Sequence, residues 1–307
     1  MITAFLAAVE NPDAASASAS VLSLGARLLA LGTTLAEPFH FDFMLQAFAI
    51  GALVAGVGAV LSCFLVLRGW SLMGDAISHA VLPGIVLSYI AGIPLAIGAF
   101  ASGLFCAVST GWVKNNSRIK EDTVMGVIFT GMFAVGLVLF SKTPSDLHLD
   151  HILFGNILGI THAQIRETSI LSGIVLVTIL ILRRDLLLVC FDPTHARVLG
   201  LRVRALTYLL LILLSLAIVA SLQAVGLVLV VAMLITPGAT ALLITKRFDR
   251  MLLIAATIAI SSALSGIYIS FFADGSPAAC IVLVQALVFV TTLVIRSLSQ
   301  PKLSPIR

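Results

Sequence analysis

The sequence predicts an all-α integral membrane protein with about nine transmembrane helices. Of its 307 residues, 60% are hydrophobic and only 10% are charged, whereas a soluble domain carries about 25% charged residues. The apolar residues also occur in long blocks, and a helix needs roughly 20 such residues to cross the hydrocarbon core of a bilayer. These blocks have to be helical, because a helix satisfies its backbone groups in lipid within a single segment.

Nine candidate spans follow one another along the chain. They cover residues 43–67, 71–91, 93–113, 123–141, 167–183, 205–222, 224–245, 251–272 and 277–297. Pro83-Gly84 interrupts the second span and Thr236-Pro237-Gly238 interrupts the seventh. Such interruptions are tolerated where the backbone is packed by protein or lines a cavity.

The spans define a single transmembrane domain over residues 41–300, followed by a short tail over 301–307. Residues 1–40 form an N-terminal extension rich in alanine and serine, and its first charged residue is Glu10. This is not an ordinary signal peptide, because a basic segment is missing before the apolar one. We expect an interfacial helix over 20–36, which is too short and interrupted to span.

The basic residues predict the orientation of the spans. Only three of the 18 lysines and arginines, namely Arg27, Lys142 and Arg166, fall on one side of the predicted membrane. The side richer in lysine and arginine is cytoplasmic, so the N-terminus is expected outside and the C-terminus in the cytoplasm. The net charge of +4 therefore reflects topology rather than a surface that binds nucleic acid.

The stretch GDAISHAVLPG (74–84) places two ionisable residues within a predicted span and is the clearest candidate for a functional site. Asp75 and His79 are four residues apart, which places them on one face of a helix, one turn from each other. Ionisable groups within a membrane span are costly and mark ion paths by default, and a carboxylate with an imidazole suits Mn, Fe or Zn. The alternative is a hydrogen-bonded pair that holds two helices together. Two donors do not complete a metal site, so a second copy would have to add others.

The loop FDPTHARVLGLR (191–202) is polar and lies on the predicted cytoplasmic side. Asp192 or Thr194 is expected to cap a short helix that Gly200 ends. With Arg197 and Arg202 on its surface, this helix is either a docking element for a soluble partner or a plain interfacial helix between spans. His195 is interpreted as a surface residue rather than a ligand.

A second polar cluster lies in the outer loop KTPSDLHLDHILFGNILGITH (142–162) and contains Asp146, His148, Asp150 and His151. Carboxylates and imidazoles there would gather cations at an entrance or contact a docked partner. A solvated loop without a special role is the simpler interpretation. Gly155 and Gly159 follow, and their spacing allows a close approach between helices.

Five stretches in this order are similar to those of permease subunits of manganese/zinc/iron ABC importers, the ABC-3 family. They are LRGWSLMGDAISHAVLPG (67–84), RIKEDTVMGVIF (118–129), LFGNILGI (153–160), FDPTHARVLGL (191–201) and VAMLITPGATALLITKRFDRM (231–251). The sequences of the last two stretches resemble the manganese/iron type most. The resemblance implies a type II ABC importer-like permease in the bacterial inner membrane that moves a divalent metal, with manganese favoured over iron or zinc.

The resemblance also implies partners and roles. The permease would form a homodimer, or a heterodimer with a close homologue, and would bind two cytoplasmic ATPase subunits and an extracytoplasmic metal-binding protein. Asp75 and His79 match residues implicated in metal passage, and no tightly bound cofactor is implied. The stretch with Asp192, His195, Ala196, Arg197 and Gly200 matches the element that couples to the ATPase.

Two other classes of protein share some of these features. An intramembrane metalloprotease needs a fuller ligand set such as H-E-x-x-H, which the sequence lacks. An ATP-independent, proton-coupled metal carrier or channel is closer, but such proteins usually carry ionisable residues on several spans. The sequence also lacks the phosphate-binding motif G-x-x-x-x-G-K-[ST]. The chain is therefore not predicted to be an enzyme, and any ATP hydrolysis would belong to a separate chain.

Overall fold

The structure is a computed structural model that describes residues 37–143, 155 and 157–299. The chain divides into two compact units, Met1–Leu45 and Gln46–Arg307. In the first unit, the described residues form a 3-10 turn at Glu37–His40 and the beginning of the first long helix. The predicted interfacial helix at 20–36 and the tail at 301–307 lie outside the described residues.

The described ranges contain α-helices and no β-strand. In chain order the helices are α1 Asp42–Arg68, α2 Met73–Ala91, α3 Leu95–Asn116, α4 Glu121–Lys142, α5 His162–Ile181, α6 Arg183–Phe191, α7 Pro193–Val198, α8 Val203–Val225, α9 Leu227–Ile244, α10 Phe248–Ala273 and α11 Pro277–Ser299. Among these described helices, nine are long and apolar enough to cross a membrane, and α6 and α7 are the two short ones. The predicted all-α class and number of spans are confirmed.

Helix α5 begins earlier than the sequence predicts. The expected start was residue 167, whereas the helix starts at His162 after the cap residue Thr161. The Thr161 hydroxyl oxygen accepts the Gln164 N–H at 3.3 Å, and the Gln164 side-chain oxygen accepts the Thr161 N–H at 3.0 Å. This capping box starts the helix in a polar turn that hydropathy alone assigns to the loop.

The helices α2 and α9 continue through their prolines instead of breaking. Proline removes one hydrogen bond of the helical ladder, and neighbouring side chains can satisfy the backbone groups that are displaced. Near Pro237, the Ser62 hydroxyl of α1 accepts the Gly238 N–H at 2.9 Å and donates to the Ile235 carbonyl at 3.1 Å. A side chain from a neighbouring span thus stabilises the proline-containing turn of α9.

Small residues bring α2 and α3 into close contact. Gly84 and Ser88 of α2 face Gly98 and Ser102 of α3, and a Cβ atom added to Gly98 would overlap the Ser88 hydroxyl and the Gly84 carbonyl. The Ser102 hydroxyl donates to the Ala80 carbonyl at 2.6 Å. Such small-residue contacts are the usual way in which membrane helices approach each other closely. They fix α2, which carries Asp75 and His79.

Burial separates central from peripheral helices. In the apolar stretches of α1, α2 and α8 that are long enough to cross a membrane, 72%, 72% and 61% of the residues are buried. The corresponding shares for α4, α5 and α11 are only 17%, 22% and 17%. The peripheral helices therefore present apolar surface to lipid or to another subunit, since lipid is as apolar as these side chains.

Candidate metal path and cytoplasmic docking helix

Asp75 and His79 lie side by side on α2. The distance from the Asp75 carboxylate oxygen Oδ1 to His79 Nε2 is 3.4 Å, which is long for a hydrogen bond. A divalent ion such as zinc holds nitrogen and oxygen ligands at roughly 2.0–2.2 Å, so two ligands of one ion lie about 3.0–3.5 Å apart. The observed spacing is therefore compatible with one ion bound between the two side chains.

Two aromatic rings of α4 hold the imidazole. The ring centroid of His79 lies 6.0 Å from that of Phe129 in a stacked arrangement and 5.2 Å from that of Phe133 in an edge contact. No described residue offers a hydrogen-bond partner to the buried Nδ1 of His79, so packing rather than a hydrogen bond orients this side of the ring. The other ring nitrogen, Nε2, is the one that faces Asp75.

The pair lies on a face of α2 that the single chain leaves partly open. The side chains of His79 and Asp75 are 28% and 34% exposed, although both belong to a membrane span. A charged group in contact with lipid is costly, and such groups normally face a protein interior or a water-filled path. Within the described residues, no cluster of three or more metal-binding side chains occurs. The pair can therefore bind an ion tightly only with donors from elsewhere.

The short helix α7 begins at a strong cap. The Asp192 carboxylate oxygen Oδ1 accepts the backbone N–H groups of Thr194 and His195 at 2.9 and 3.0 Å. Pro193 occupies the first helical position, where its missing N–H costs nothing. The hydrogen bond from His195, followed by those from Thr194, holds the pKa of the Asp192 carboxyl below its usual value. The sequence named both Asp192 and Thr194 as caps, and the structure selects Asp192.

Gly200 ends α7 in a left-handed conformation, with φ of +80°. The Gly200 N–H donates to the Arg197 carbonyl and the Leu201 N–H donates to the Ala196 carbonyl, both at 3.0 Å. This is the Schellman arrangement, in which glycine avoids the steric cost that a Cβ atom would bring. The predicted helix end at Gly200 is confirmed.

One side of α7 is anchored and the other is exposed. Ala196 is fully buried and packs with Val189 of α6 and Val203 of α8. The exposed side carries polar and apolar side chains, namely Thr194, His195, Arg197, Val198 and Leu199, and Phe191 immediately before the helix is 78% exposed. Exposed large apolar residues beside basic ones are typical of a surface that contacts another protein.

The outer-loop candidates Asp146, His148, Asp150 and His151 lie outside the described residues, so their predicted role stays a prediction. Nearby, Gly155 has φ of +67°. A Cβ atom on Gly155 would overlap the backbone of Val225 and Gly226 in the turn between α8 and α9. The close approach expected of this glycine thus occurs against a turn rather than against another helix.

Sequence reasoning missed the residues that surround these two sites. Phe129 and Phe133 are four residues apart on α4, as expected for one helix face, but apolar residues at this spacing are ordinary in a membrane span. Arg68 is one of the basic residues that predict the cytoplasmic side, and the structure adds a contact of its guanidinium, which donates from Nη1 to the Val189 carbonyl of α6 at 2.9 Å. No pattern in the sequence brings Arg68 to α6, because 121 residues separate it from Val189.

Comparisons with known proteins agree with the fold. The chain is 54% identical over 279 residues to the chelated iron transport system membrane protein YfeD of Yersinia pestis, covering 90% of this chain and 94% of YfeD. It is 49% identical over 260 residues to the manganese transport system membrane protein MntB of Synechocystis, covering 85% of each protein.

A solved structure, PsaBC from Streptococcus pneumoniae in complex with Fab, superposes with a TM-score of 0.77 at 37% sequence identity. The superposition covers 85% of this chain and 95% of the matched chain. The family described as the ABC 3 transport family matches residues 40–296, which include all nine described spans except the last few residues of α11 and nearly the whole transmembrane domain. The chain therefore belongs to the ABC 3 transport family.

Proposed function

We propose that this chain imports manganese or divalent iron as the membrane-spanning subunit of an ABC importer, with Asp75 and His79 as transient ligands. Membership of the ABC 3 transport family makes the chain a transport subunit rather than an enzyme. The names of the similar proteins favour iron and manganese over zinc as the cargo. Carboxylate and imidazole donors suit all three ions, so the donors alone do not choose between them.

The observation that carries this proposal is the partly exposed Asp75–His79 pair in a membrane span. A pair that served only to join α2 to another helix of the same chain would be covered by that helix. Here α4 contributes the rings of Phe129 and Phe133 on the imidazole side. The uncovered side is thus available to a passing ion.

A second permease subunit would complete the path. A twofold interface presents the same patch twice, so two chains would provide two carboxylates and two imidazoles. The second subunit is another copy of this chain or a close homologue with the same pair. Four donors of this kind form a site acceptable to manganese or iron.

The two faces of the membrane would have different partners. The helix α7, with its exposed Arg197, Val198 and Leu199, would dock the ATPase on the cytoplasmic side. This orientation follows from the distribution of lysine and arginine, and it places the N-terminus outside and the C-terminus in the cytoplasm. The extracytoplasmic metal-binding protein would then deliver the ion from the opposite side of the membrane.

Uptake into proteoliposomes tests this proposal. The chain is reconstituted with its ATPase, the metal-binding protein is added outside, and uptake of Mn²⁺, Fe²⁺ and Zn²⁺ is compared with ATP or a non-hydrolysable analogue inside. We expect uptake of Mn²⁺ or Fe²⁺ that requires ATP hydrolysis and persists when an ionophore collapses the proton gradient. Uptake that is independent of ATP and abolished by the ionophore would instead identify a proton-coupled carrier.

A further inference from the structure

Arg68 connects the end of α1 to the helix that precedes the docking helix. Its Nη1 atom donates to the Val189 carbonyl at 2.9 Å. Val189 lies in the last turn of α6, where the carbonyl groups have no partner within the helix and favour a cation. Burial raises the pKa of the neighbouring Cys190 thiol to about 11, and the positive charge of Arg68 opposes this shift.

The Arg68 guanidinium also contacts Trp70, which leads into α2. Its central carbon lies 5.3 Å from the ring centroid of Trp70, within the range of a cation–π contact. The Trp70 side chain is buried, and its indole Nε1 has no hydrogen-bond partner among the described residues, so the ring is held by packing. The Trp70 carbonyl accepts the N–H of Met73, the first residue of α2, at 3.0 Å. Asp75 follows two residues later.

The backbone between Arg68 and Trp70 is fixed. Gly69 has φ of +76°, its N–H donates to the Val66 carbonyl at 3.2 Å, and the Trp70 N–H donates to the Leu65 carbonyl at 2.8 Å. This is a second Schellman arrangement, and it sets the position of Trp70 relative to the end of α1. A displacement of Arg68 is therefore passed to Trp70 instead of being absorbed by a flexible loop.

At the other end, Val189 is packed against the docking helix. Its side chain shares a buried cluster with Ala196 of α7 and Val203 of α8. Contacts between described residues thus run without interruption from α7 through Val189, Arg68 and Trp70 to the first turn of α2. Contiguous contacts of this kind carry coupling only if both ends change together.

We propose that Arg68 is a positioning residue that transmits movement of α7 to the start of α2, and so to Asp75 and His79. This inference rests on the proposed function, because it assumes that α7 binds the ATPase and that Asp75 and His79 lie on the metal path. Arginine suits the role better than lysine, since its planar guanidinium donates to a carbonyl and stacks on a ring at the same time.

A purely structural role for Arg68 predicts something different. A cation at the C-terminus of a helix stabilises that helix modestly. Its loss would then lower the yield or thermal stability of the complex, while the metal transported per ATP hydrolysed would stay unchanged. The ratio of transport to hydrolysis therefore separates a coupling role from a structural one.

The test compares Arg68→Met, Arg68→Lys and Trp70→Leu in the complete complex reconstituted with its ATPase and metal-binding protein. Mn²⁺ uptake and ATP hydrolysis are measured in the same proteoliposomes. We expect Arg68→Met to assemble and hydrolyse ATP but to move about tenfold less metal per ATP, a size usual for coupling between sites. Arg118→Met, which removes an exposed positive charge from the α3–α4 loop, should keep the wild-type ratio.

Combining the substitutions makes the test sharper. If Arg68 and Trp70 belong to the same chain of contacts, the second substitution adds no further loss. The metal transported per ATP hydrolysed by the Arg68→Lys, Trp70→Leu double variant should then be no lower than in the more strongly impaired single variant. The proposal would be overturned if the losses of the two single variants multiplied in the double variant. It would also be overturned if Arg68→Met moved as much metal per ATP as the wild type. Should Arg68→Met fail to assemble, a wild-type ratio in Arg68→Lys would overturn it equally. Absence of ATP-driven uptake by the wild-type complex would refute the proposed function itself.

Discussion

The Asp75 carboxylate and the His79 imidazole lie 3.4 Å apart on one face of α2, and both side chains are partly exposed to the space outside the chain. Their four-residue spacing predicts the shared helix face. The partial exposure of both side chains was not predictable, because it depends on which helices cover α2. The aromatic contacts of His79 likewise depend on the position of α4, which lies more than 40 residues further along the chain.

At the same scale, Asp192 should support binding of the ATPase through the hydrogen bonds that cap α7 rather than through its negative charge. Asp192→Ala removes the oxygen that accepts the Thr194 and His195 N–H groups, so α7 should be less ordered and bind the ATPase more weakly. Asp192→Asn keeps an acceptor and should bind nearly as well as wild type. Affinity for the ATPase, measured with purified permease in detergent, distinguishes these outcomes. Equal weakening by both substitutions would show that the charge is what matters.

The pH dependence of this cap has a defined sign. The pKa of the Asp192 carboxyl is lowered in the folded protein. The stabilisation that the ionised Asp192 carboxylate gives to the folded protein is therefore fully present above the ordinary aspartate pKa of about 3.9. It is lost as the pH falls through the lower pKa that this carboxyl has in the folded protein. Binding of the ATPase should accordingly show no contribution from Asp192 titration between about pH 5 and 8.

Helices were predicted more reliably than the contacts between them. Apolar length alone located the nine spans, because the requirement to satisfy the backbone in lipid leaves a helix as the outcome. Helix ends were less predictable where a polar turn continues the helix, as in the capping box of Thr161 and Gln164. The short helix α7 was predictable, because its cap and its terminal glycine are local signals.

The crossing of α2 and α3 gives a prediction at the scale of elements. Gly98→Ala would place a Cβ atom against the Gly84 carbonyl and the Ser88 hydroxyl, and overpacking of this kind costs about 1–3 kcal/mol. Gly111→Ala on the same helix is the matched control, since no atom of the described residues lies within 4 Å of its added Cβ atom. Thermal unfolding in detergent should show a lower Tm for Gly98→Ala and an unchanged or slightly higher Tm for Gly111→Ala. Equal Tm values would mean that the two helices are less closely packed than described.

For the whole molecule, the sequence predicted class, number of spans and family, but not the arrangement of the helices. Hydropathy fixes the length of each span, whereas its neighbours depend on small residues and buried hydroxyl groups distributed over distant segments. Ser62 illustrates this, since its contacts with Ile235 and Gly238 join α1 to α9 across more than 170 residues. Such a contact carries no signal in a single sequence.

Orientation is a property of the whole molecule and can be tested directly. In a variant whose native cysteines are replaced by alanine, a cysteine at Gly275, in the α10–α11 turn, should react with a membrane-impermeant maleimide in intact cells. A cysteine at Asn116, at the end of α3, should react only after permeabilisation. Labelling of Asn116→Cys in intact cells would mean that the true orientation is the reverse of the predicted one. Helix α7 would then lie on the side of the membrane opposite to the ATPase.

The central claim is that a divalent ion passes Asp75, and metal uptake by Asp75→Asn tests it most directly. This substitution preserves the shape and hydrogen-bonding capacity of the side chain while removing the negative charge that attracts the ion. Asp274→Asn is the matched control, because Asp274 lies in the α10–α11 turn with φ of +46° and asparagine tolerates this conformation equally well. In proteoliposomes with the ATPase and the metal-binding protein, uptake should be lost or strongly reduced in Asp75→Asn and normal in Asp274→Asn, with equal assembly of both complexes. Near-normal uptake of Mn²⁺, Fe²⁺ and Zn²⁺ by Asp75→Asn would contradict the claim and leave Asp75 and His79 as a structural pair.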